Sequence, residues 1–211
     1  RSTDRLIMLT EQEKADHLSH HIAPPDKFVV IHSGVCLEHF SSISPEERRP
    51  GNVPSLPSGA FVIGTVGRLT AIKGHRYLLE AAAKLIREIP ELVCVVVGEG
   101  EMHRKLEEQT AALGMGGRVI FPGWRENVGT YMSALDIFVM PSLNEGMGRV
   151  VVEAMASGRP VVASNVGGLK NLVNQGENGI LVPPGDAEAL AAAIRMLYRH
   201  PERRRAMGVE G

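Results

Sequence analysis

Residues 137–163 read IFVMPSLNEGMGRVVVEAMASGRPVVA, and the order of the segments in this stretch predicts a βαβ unit. An apolar run of strand length is followed by a glycine-rich loop, a mostly apolar segment of helical length and a second apolar run. Apolar runs without polar alternation are typical of strands that are buried on both faces of a parallel sheet. A right-handed crossover between two parallel strands is therefore expected here.

The same alternation extends along the rest of the chain. Apolar runs rich in valine and isoleucine predict strands at residues 6–9, 28–31, 61–66, 92–97, 119–121, 137–140 and 160–163. Amphipathic segments between them predict helices at residues 11–21, 74–89, 102–113, 149–157 and 187–199. Alternating strands and helices predict an α/β fold with a doubly wound, Rossmann-like parallel sheet.

One stretch interrupts this alternation and divides the chain. Residues 41–60 carry prolines, serines and a short charged run, which predicts a linker or a surface excursion. Residues 61–211 then form the expected compact ligand-binding domain. Residues 1–40 are interpreted as a segment at the entrance of that domain.

Bulk composition excludes some classes of function. The formal net charge of the 211 residues is -1, so the chain lacks the overall positive charge expected of a nucleic-acid-binding protein. The two cysteines, Cys36 and Cys94, are too few for a disulfide framework, which favours a reducing cytoplasm. No apolar run reaches the length of a membrane span.

Two cations follow the strand predicted at residues 61–66. Arg68 and Lys73 lie on a loop bounded by Gly67 and Gly74. Ligands of a doubly wound sheet bind outside the carboxyl ends of its strands, and a guanidinium with an ammonium group suits a diphosphate. A solvated loop with two surface cations is the alternative interpretation.

A second group of candidate residues follows the strand predicted at residues 137–140. Gly146 and Gly148 allow a ligand close to the backbone, and the helix that begins near Arg149 offers free N–H groups to a phosphate. Glu145 and Glu153 would line the same cleft and accept hydrogen bonds from sugar or ribose hydroxyls. The alternatives are a helix-capping carboxylate for Glu145 and a surface residue for Glu153.

Taken together, these motifs resemble one known family. GRL at residues 67–69 with KG at 73–74, VGEG at 97–100, FPG at 121–123, the glutamates Glu145 and Glu153, GRPVV at 158–162 and VGG at 166–168 occur in the order of the retaining group 1 glycosyltransferases of family 4. This resemblance implies the C-terminal, nucleotide-sugar-binding half of a GT-B fold. It also implies that the N-terminal, acceptor-binding domain is absent from these residues.

The resemblance assigns roles to individual positions. Arg68, Lys73 and Glu145 match the catalytic residues, the first two neutralising the donor diphosphate without a metal ion and the third lying by the donor sugar. Glu153 matches the residue that holds the ribose. The remaining donor-binding positions, which contact phosphates or flank the base, are Gly67, Gly98, Gly123, Arg125, Gly146, Met147, Gly148, Arg149 and Val150.

An overall activity follows from the resemblance. It implies a cytoplasmic hexosyltransferase of class EC 2.4, acting in cell-envelope polysaccharide synthesis at or near the inner face of the membrane. The donor would be a UDP, GDP or ADP sugar and the acceptor a glycan or lipid-linked sugar, with no metal or other cofactor. We expect the isolated chain to be inactive, because acceptor contacts and peripheral membrane contact belong to the full-length protein.

Two positions depart from the family pattern, and other functions remain as alternatives. Asn171 and Cys36 stand where the family commonly has acidic residues. A nucleotide-sugar epimerase of related fold and a non-catalytic nucleotide-binding module are the alternatives. No G-x-G-x-x-G sequence follows residues 61–66, which argues against a dinucleotide-dependent oxidoreductase. A metal site at His17, His20 and His21 is less favoured than a solvated helix face.

Overall fold

The computed structural model of the chain describes residues 3–37, 40, 53 and 56–211. Within these residues the strands form two separate sheets, with helices between the strands. Most of the predicted linker, residues 41–60, lies outside these described residues. The strands are β1 (Leu6–Met8), β2 (Phe28–Val30), β3 (Phe61–Val66), β4 (Leu92–Val97), β5 (Val119–Gly123), β6 (Ile137–Met140), β7 (Val161–Ser164) and β8 (Gly179–Val182). The α-helices are α1 (Glu11–Ser19), α2 (His75–Leu85), α3 (His103–Ala112), α4 (Val128–Ala134), α5 (Arg149–Ala156), α6 (Leu169–Leu172), α7 (Ala187–Arg199) and α8 (Pro201–Glu210).

The larger sheet has six parallel strands in the order β5-β4-β3-β6-β7-β8. The predicted α/β, doubly wound parallel sheet is therefore confirmed. From β3 the chain adds strands outward on one side as far as β5, and it then returns to place β6 against the other side of β3. Such a reversal leaves a crevice at the carboxyl ends of β3 and β6, where ligands bind in this type of sheet.

Both faces of this sheet are covered, which explains the uninterrupted apolar runs. Along β4 the side chains alternate between two cores: Leu92, Cys94 and Val96 pack on the side of α2 and α7, and the intervening valines pack on the side of α4 and α5. Burial raises the pKa of the Cys94 thiol to about 12. Cys94 is therefore a core residue with an unreactive thiol.

Four elements of the structure were not predicted from the sequence: β8, α4, α6 and α8. Strand β8 was missed because it begins with a glycine and so offers an apolar run of only three residues. Helix α4 has the sequence VGTYMSA, in which five of seven residues have weak helix propensity, but the Asn127 side chain accepts a hydrogen bond from the Thr130 N–H at its start. Among the described residues, no helix is both long enough and apolar enough to cross a membrane.

The remaining strands form a small sheet of their own near the start of the chain. Strands β1 and β2 pair in parallel, and α1 packs against both. The Thr10 hydroxyl caps α1 by accepting a hydrogen bond of 3.0 Å from the Glu13 N–H. Helix α1 faces the loops at the carboxyl ends of the larger sheet's strands, across a cavity that the helix and these loops both line.

Candidate functional site

The loops that follow β3 and β6 border a cavity of about 810 Å³ at the carboxyl ends of these neighbouring strands. Of the residues predicted to form the site, the structure places Gly67, Arg68, Lys73, Arg125, Glu145, Gly148, Arg149, Val150 and Glu153 along this cavity. The charged side chains of the lining are four cations and three carboxylates, since Glu126 joins the predicted group. The cavity therefore carries a small excess of positive charge, which favours an anionic ligand.

The loop that carries Arg68 and Lys73 is held tightly against the loop that follows β6. The Leu143 N–H donates to the carbonyl of Ile72 over 2.8 Å. At Gly74, where φ is 67°, an added Cβ atom would lie 2.0 Å from the carbonyl oxygen of Pro141. Only glycine allows this close approach, which explains the glycine that follows Lys73.

Lys73 and Glu145 form an ion pair across these two loops. The Lys73 Nζ atom lies 2.5 Å from Oε2 of Glu145, and the Ser142 hydroxyl donates to the same oxygen over 3.3 Å. Both side chains are largely buried, with 26% and 13% of their surfaces exposed. The carboxylate therefore fixes the position of the ammonium group at the edge of the cavity.

Helix α5 begins at this cavity and brings Glu153 to it. Gly148 precedes the helix with φ at 74° and provides no side-chain cap, so the first N–H groups of α5 remain available to a ligand. Glu153 lies four residues after Arg149, on the same face, and its Oε1 is 3.2 Å from Arg149 Nε. Burial raises the pKa of Glu153, and the neighbouring Arg149 charge opposes this shift.

Several predicted glycines shape the loops without lining the cavity. A Cβ atom at Gly98 would lie 1.9 Å from the carbonyl oxygen of Gly67, and one at Gly123 would lie 2.7 Å from Oε1 of Glu99. A Cβ atom at Gly167 would lie 1.8 Å from the carbonyl oxygen of Glu145. The glycine pair at residues 167–168 therefore packs directly against the backbone of the loop that carries Glu145.

The predicted residues Gly146 and Met147 are displaced from the main cavity. Gly146 borders a neighbouring cavity of about 380 Å³, and Met147, which is partly exposed, lines neither cavity. Helix α1 forms the opposite wall of this second cavity with side chains that include Asp16 and His17. This wall could not be predicted, because nothing in the local sequence pattern of residues 1–40 indicates which part of the chain they face.

The histidines at and after α1 are not part of a metal-ligating cluster in the part of the chain that the structure describes. No cluster of three or more histidine, cysteine or acidic side chains is suitably arranged there. The His17 ring contacts the carbonyl of Glu13 through Nδ1 at 2.8 Å. Only His17 lies on α1, which ends at Ser19; His20 is the C-cap and His21 has φ at 54°, so the predicted helix face shared by the three histidines is not formed.

A buried histidine immediately follows the Lys73 loop. His75 is 3% exposed, and among the described residues its Nδ1 has no hydrogen-bond partner. Burial, with a smaller contribution from the Lys73 charge, lowers the pKa of His75 from 6.5 to about 4. The His75 ring is therefore harder to protonate in the folded chain than in the unfolded chain.

We expect acidification to destabilise the chain through His75. Because its pKa is lower in the folded state, stability is lost as the pH falls from about 6.5 to about 4, by up to ~3 kcal/mol. His75→Leu should lose correspondingly less of its unfolding free energy between pH 7 and pH 4.5 in urea titrations. His200→Gln, at an exposed histidine, is the control and should behave as the wild type. Equal losses in the wild type and His75→Leu would contradict the assignment.

Comparison with known proteins identifies relatives of this arrangement. Residues 51–211 match a family model described as Glycosyl transferases group 1. A D-inositol 3-phosphate glycosyltransferase of Corynebacterium urealyticum is 36% identical over 218 residues, covering 98% of this chain and 51% of the relative. The UDP-Gal:alpha-D-GlcNAc-diphosphoundecaprenol alpha-1,3-galactosyltransferase of Escherichia coli is 33% identical, covering 91% of this chain and 50% of the relative.

A solved structure is similar over nearly the whole chain. The crystal structure of HepE of Anabaena in complex with UDP and glucose superimposes with a TM-score of 0.91 at 27% identity, covering 99% of this chain and 57% of that one. The six-stranded sheet thus matches the C-terminal, Rossmann-like domain of the GT-B fold. This chain spans about half the length of the curated relatives that it matches.

Proposed function

The chain belongs to the group 1 glycosyl transferases, and from this membership we propose that it binds the donor of a glycosyltransferase. The proposed reaction, of class EC 2.4, transfers a sugar from a nucleoside diphosphate to an acceptor with retention of anomeric configuration, as in family 4. The observation that carries the proposal is the joint placement of Arg68, Lys73, the start of α5 and Glu153 around one cavity.

Each part of a nucleoside diphosphate has a partner of suitable chemistry in this cavity. The diphosphate would lie at the start of α5, where free N–H groups and the helix dipole add to the charges of Arg68 and Lys73. The ribose hydroxyls would donate to the carboxylate of Glu153, which lies about 6 Å farther along the helix by its rise of 1.5 Å per residue. The sugar would then lie near Glu145.

The same residues would assist bond cleavage. When the bond between the anomeric carbon and the diphosphate oxygen breaks, negative charge grows on the diphosphate and positive charge on the sugar ring. Arg68 and Lys73 would stabilise the first charge, which is the task of a metal ion in other transferases, so we propose a metal-free reaction. Glu145, held by Lys73 and Ser142, would lie beside the sugar.

The relatives support this choice of donor and acceptor. HepE was crystallised with UDP and glucose, and the Escherichia coli relative is named for a UDP-galactose donor and a diphosphoundecaprenol-linked acceptor. We propose a nucleoside diphosphate sugar as donor and a glycan or lipid-linked sugar as acceptor. The acceptor would be bound largely by a further domain, so that this chain alone transfers no sugar. Cytoplasmic location and peripheral membrane contact remain predictions.

The alternatives are less well supported. The relatives described above are named as glycosyltransferases, which favours transfer over epimerisation and over a non-catalytic binding module. The ion pair between Lys73 and Glu145 also favours a catalytic site. A pure binding module needs no carboxylate beside a phosphate-binding cation, because the negative charge of the carboxylate opposes phosphate binding.

Glu153→Gln tests the assignment of the ribose position. The amide keeps the size of the side chain but loses the charge that strengthens hydrogen bonds from hydroxyls, so UDP should bind about tenfold to hundredfold more weakly. Pyrophosphate, which has no ribose, should bind at least as tightly as it does to the wild type, because the carboxylate beside Arg149 is then neutral. Calorimetric titrations of the wild type, Glu153→Gln and the exposed control Glu101→Gln would measure both ligands. Equal losses for UDP and pyrophosphate would refute the ribose assignment.

A further inference from the structure

Another cavity is bordered by the loop that carries Lys73 together with the beginnings of α2 and α3. Its volume is about 220 Å³, which is below the range of pockets for drug-sized ligands and suits a molecule the size of a single ring. The apolar part of its lining consists of Ala71, Met102, Leu106 and Leu143. Such a lining favours a ligand that is largely apolar.

His75 also lines this cavity, and it carries a polar atom without a partner. The His75 Nδ1 is buried and has no hydrogen-bond partner among the residues that the structure describes. Most buried polar atoms in folded proteins are hydrogen-bonded, because an unsatisfied one costs free energy. The imidazole therefore lacks a hydrogen bond that a molecule bound in the cavity can supply.

The state of the His75 ring indicates which polar group suits it. Burial lowers its pKa to about 4, so the ring is uncharged at neutral pH. A neutral imidazole has one nitrogen that donates and one that accepts, and the tautomer decides which is which. A hydroxyl group can donate or accept, so it can pair with Nδ1 in either tautomer. A charged group would lose its hydration in an apolar cavity, which disfavours a carboxylate or an ammonium group.

The charged residue of the lining does not require an anionic ligand. Among the described residues that border this cavity, Arg76 is the charged one. Its guanidinium donates to the hydroxyl of Tyr77 and lies 4.4 Å from the centre of the Tyr77 ring. Arg76 is also exposed, so water solvates the rest of its charge. The lining therefore fits a neutral ligand.

We propose that this cavity is a second ligand site, which binds a small neutral molecule combining an apolar ring with a hydroxyl group that pairs with His75. Thr70 lines both this cavity and the donor cavity. The ligand would therefore contact the loop that carries Lys73, beside the proposed position of the diphosphate. Because the site needs no nucleotide, this inference is independent of the proposed function.

Phenol is a suitable probe, and toluene is the matched ligand without a hydroxyl group. In a titration of the ¹⁵N-labelled chain followed by NMR, phenol should bind saturably with a Kd of about 1 mM, the scale for so small a ligand. The shifts should concentrate at residues 70–71, 75–76 and 102–106. His75→Leu should lower the ratio of phenol affinity to toluene affinity by about fivefold, the scale of one hydrogen bond, and change toluene binding little.

A second pair of variants tests the cavity itself. Met102→Trp places a larger side chain in the lining and should weaken phenol binding by about tenfold or more. Val209→Trp, at a position that is 84% exposed and outside the lining, is the control and should leave phenol binding unchanged. Phenol shifts that do not saturate, that lie elsewhere in the chain or that persist unchanged in Met102→Trp would overturn the site. An unchanged affinity ratio in His75→Leu would overturn the pairing with His75.

Discussion

Lys73→Ala is expected to weaken UDP binding by about 10-fold to 150-fold, the range that corresponds to 1.5–3 kcal/mol for a charged hydrogen bond. The substitution removes a cation from the proposed phosphate position. It also leaves Glu145, now without the ammonium group at 2.5 Å, as an uncompensated negative charge near the diphosphate. Arg68→Ala removes a cation without exposing a carboxylate in this way, so we expect its effect to lie at the lower end of the range.

Calorimetry with matched ligands and variants checks this expectation. Uridine carries no phosphate, so its affinity should change by less than about twofold in Lys73→Ala. Lys84→Ala is the matched control, because Lys84 lies on α2 in an exposed ion pair with Glu188 and does not line the cavity. Equal losses for UDP and uridine would show that Lys73 supports the fold of the loop and makes no contact with phosphate.

Glu145→Gln should reduce turnover strongly while leaving donor binding nearly intact. In the protein that contains both the donor and the acceptor domain, we expect kcat to fall by about 100-fold, the scale for one preorganised charged or polar group at a reacting centre. Glutamine preserves the size of the side chain but carries no charge to meet the positive charge that develops on the sugar. The loss should therefore appear in kcat, with KM for the donor nearly unchanged.

Steady-state rates of UDP release in the presence of acceptor would measure this split. Glu101→Gln is the control, since Glu101 is exposed and does not line the cavity. We expect its kcat to stay within about threefold of the wild type. A large rise in KM with unchanged kcat in Glu145→Gln would place Glu145 in donor binding alone.

Much of the fold could be predicted because its signals are local. Each buried strand of the larger sheet, apart from β8, is an apolar run that is visible in the sequence, and parallel pairing follows from the helices between them. At least one of the missed helices depends on tertiary packing. Helix α4, for example, has poor propensity and is stabilised by buried side chains such as Tyr131 and Met132.

The site was predictable as a set of residues but not as a set of contacts. Arg68, Lys73 and Glu145 follow strands, so their presence at one edge of a parallel sheet could be expected. The pairing of Lys73 with Glu145 additionally requires β3 and β6 to be neighbours, although 72 residues separate the two side chains. The position of α1 opposite Glu145 depends on how two separate sheets lie against each other, which no local pattern records.

The central claim is that the cavity between β3 and α5 binds a nucleoside diphosphate. A titration of the ¹⁵N-labelled chain with UDP, followed by NMR, tests it most directly because each backbone N–H reports separately. We expect the largest shifts at residues 67–73 and 148–153, with smaller changes at the loop of residues 122–126. Saturating shifts confined to other parts of the chain, or no shifts at millimolar UDP, would contradict it.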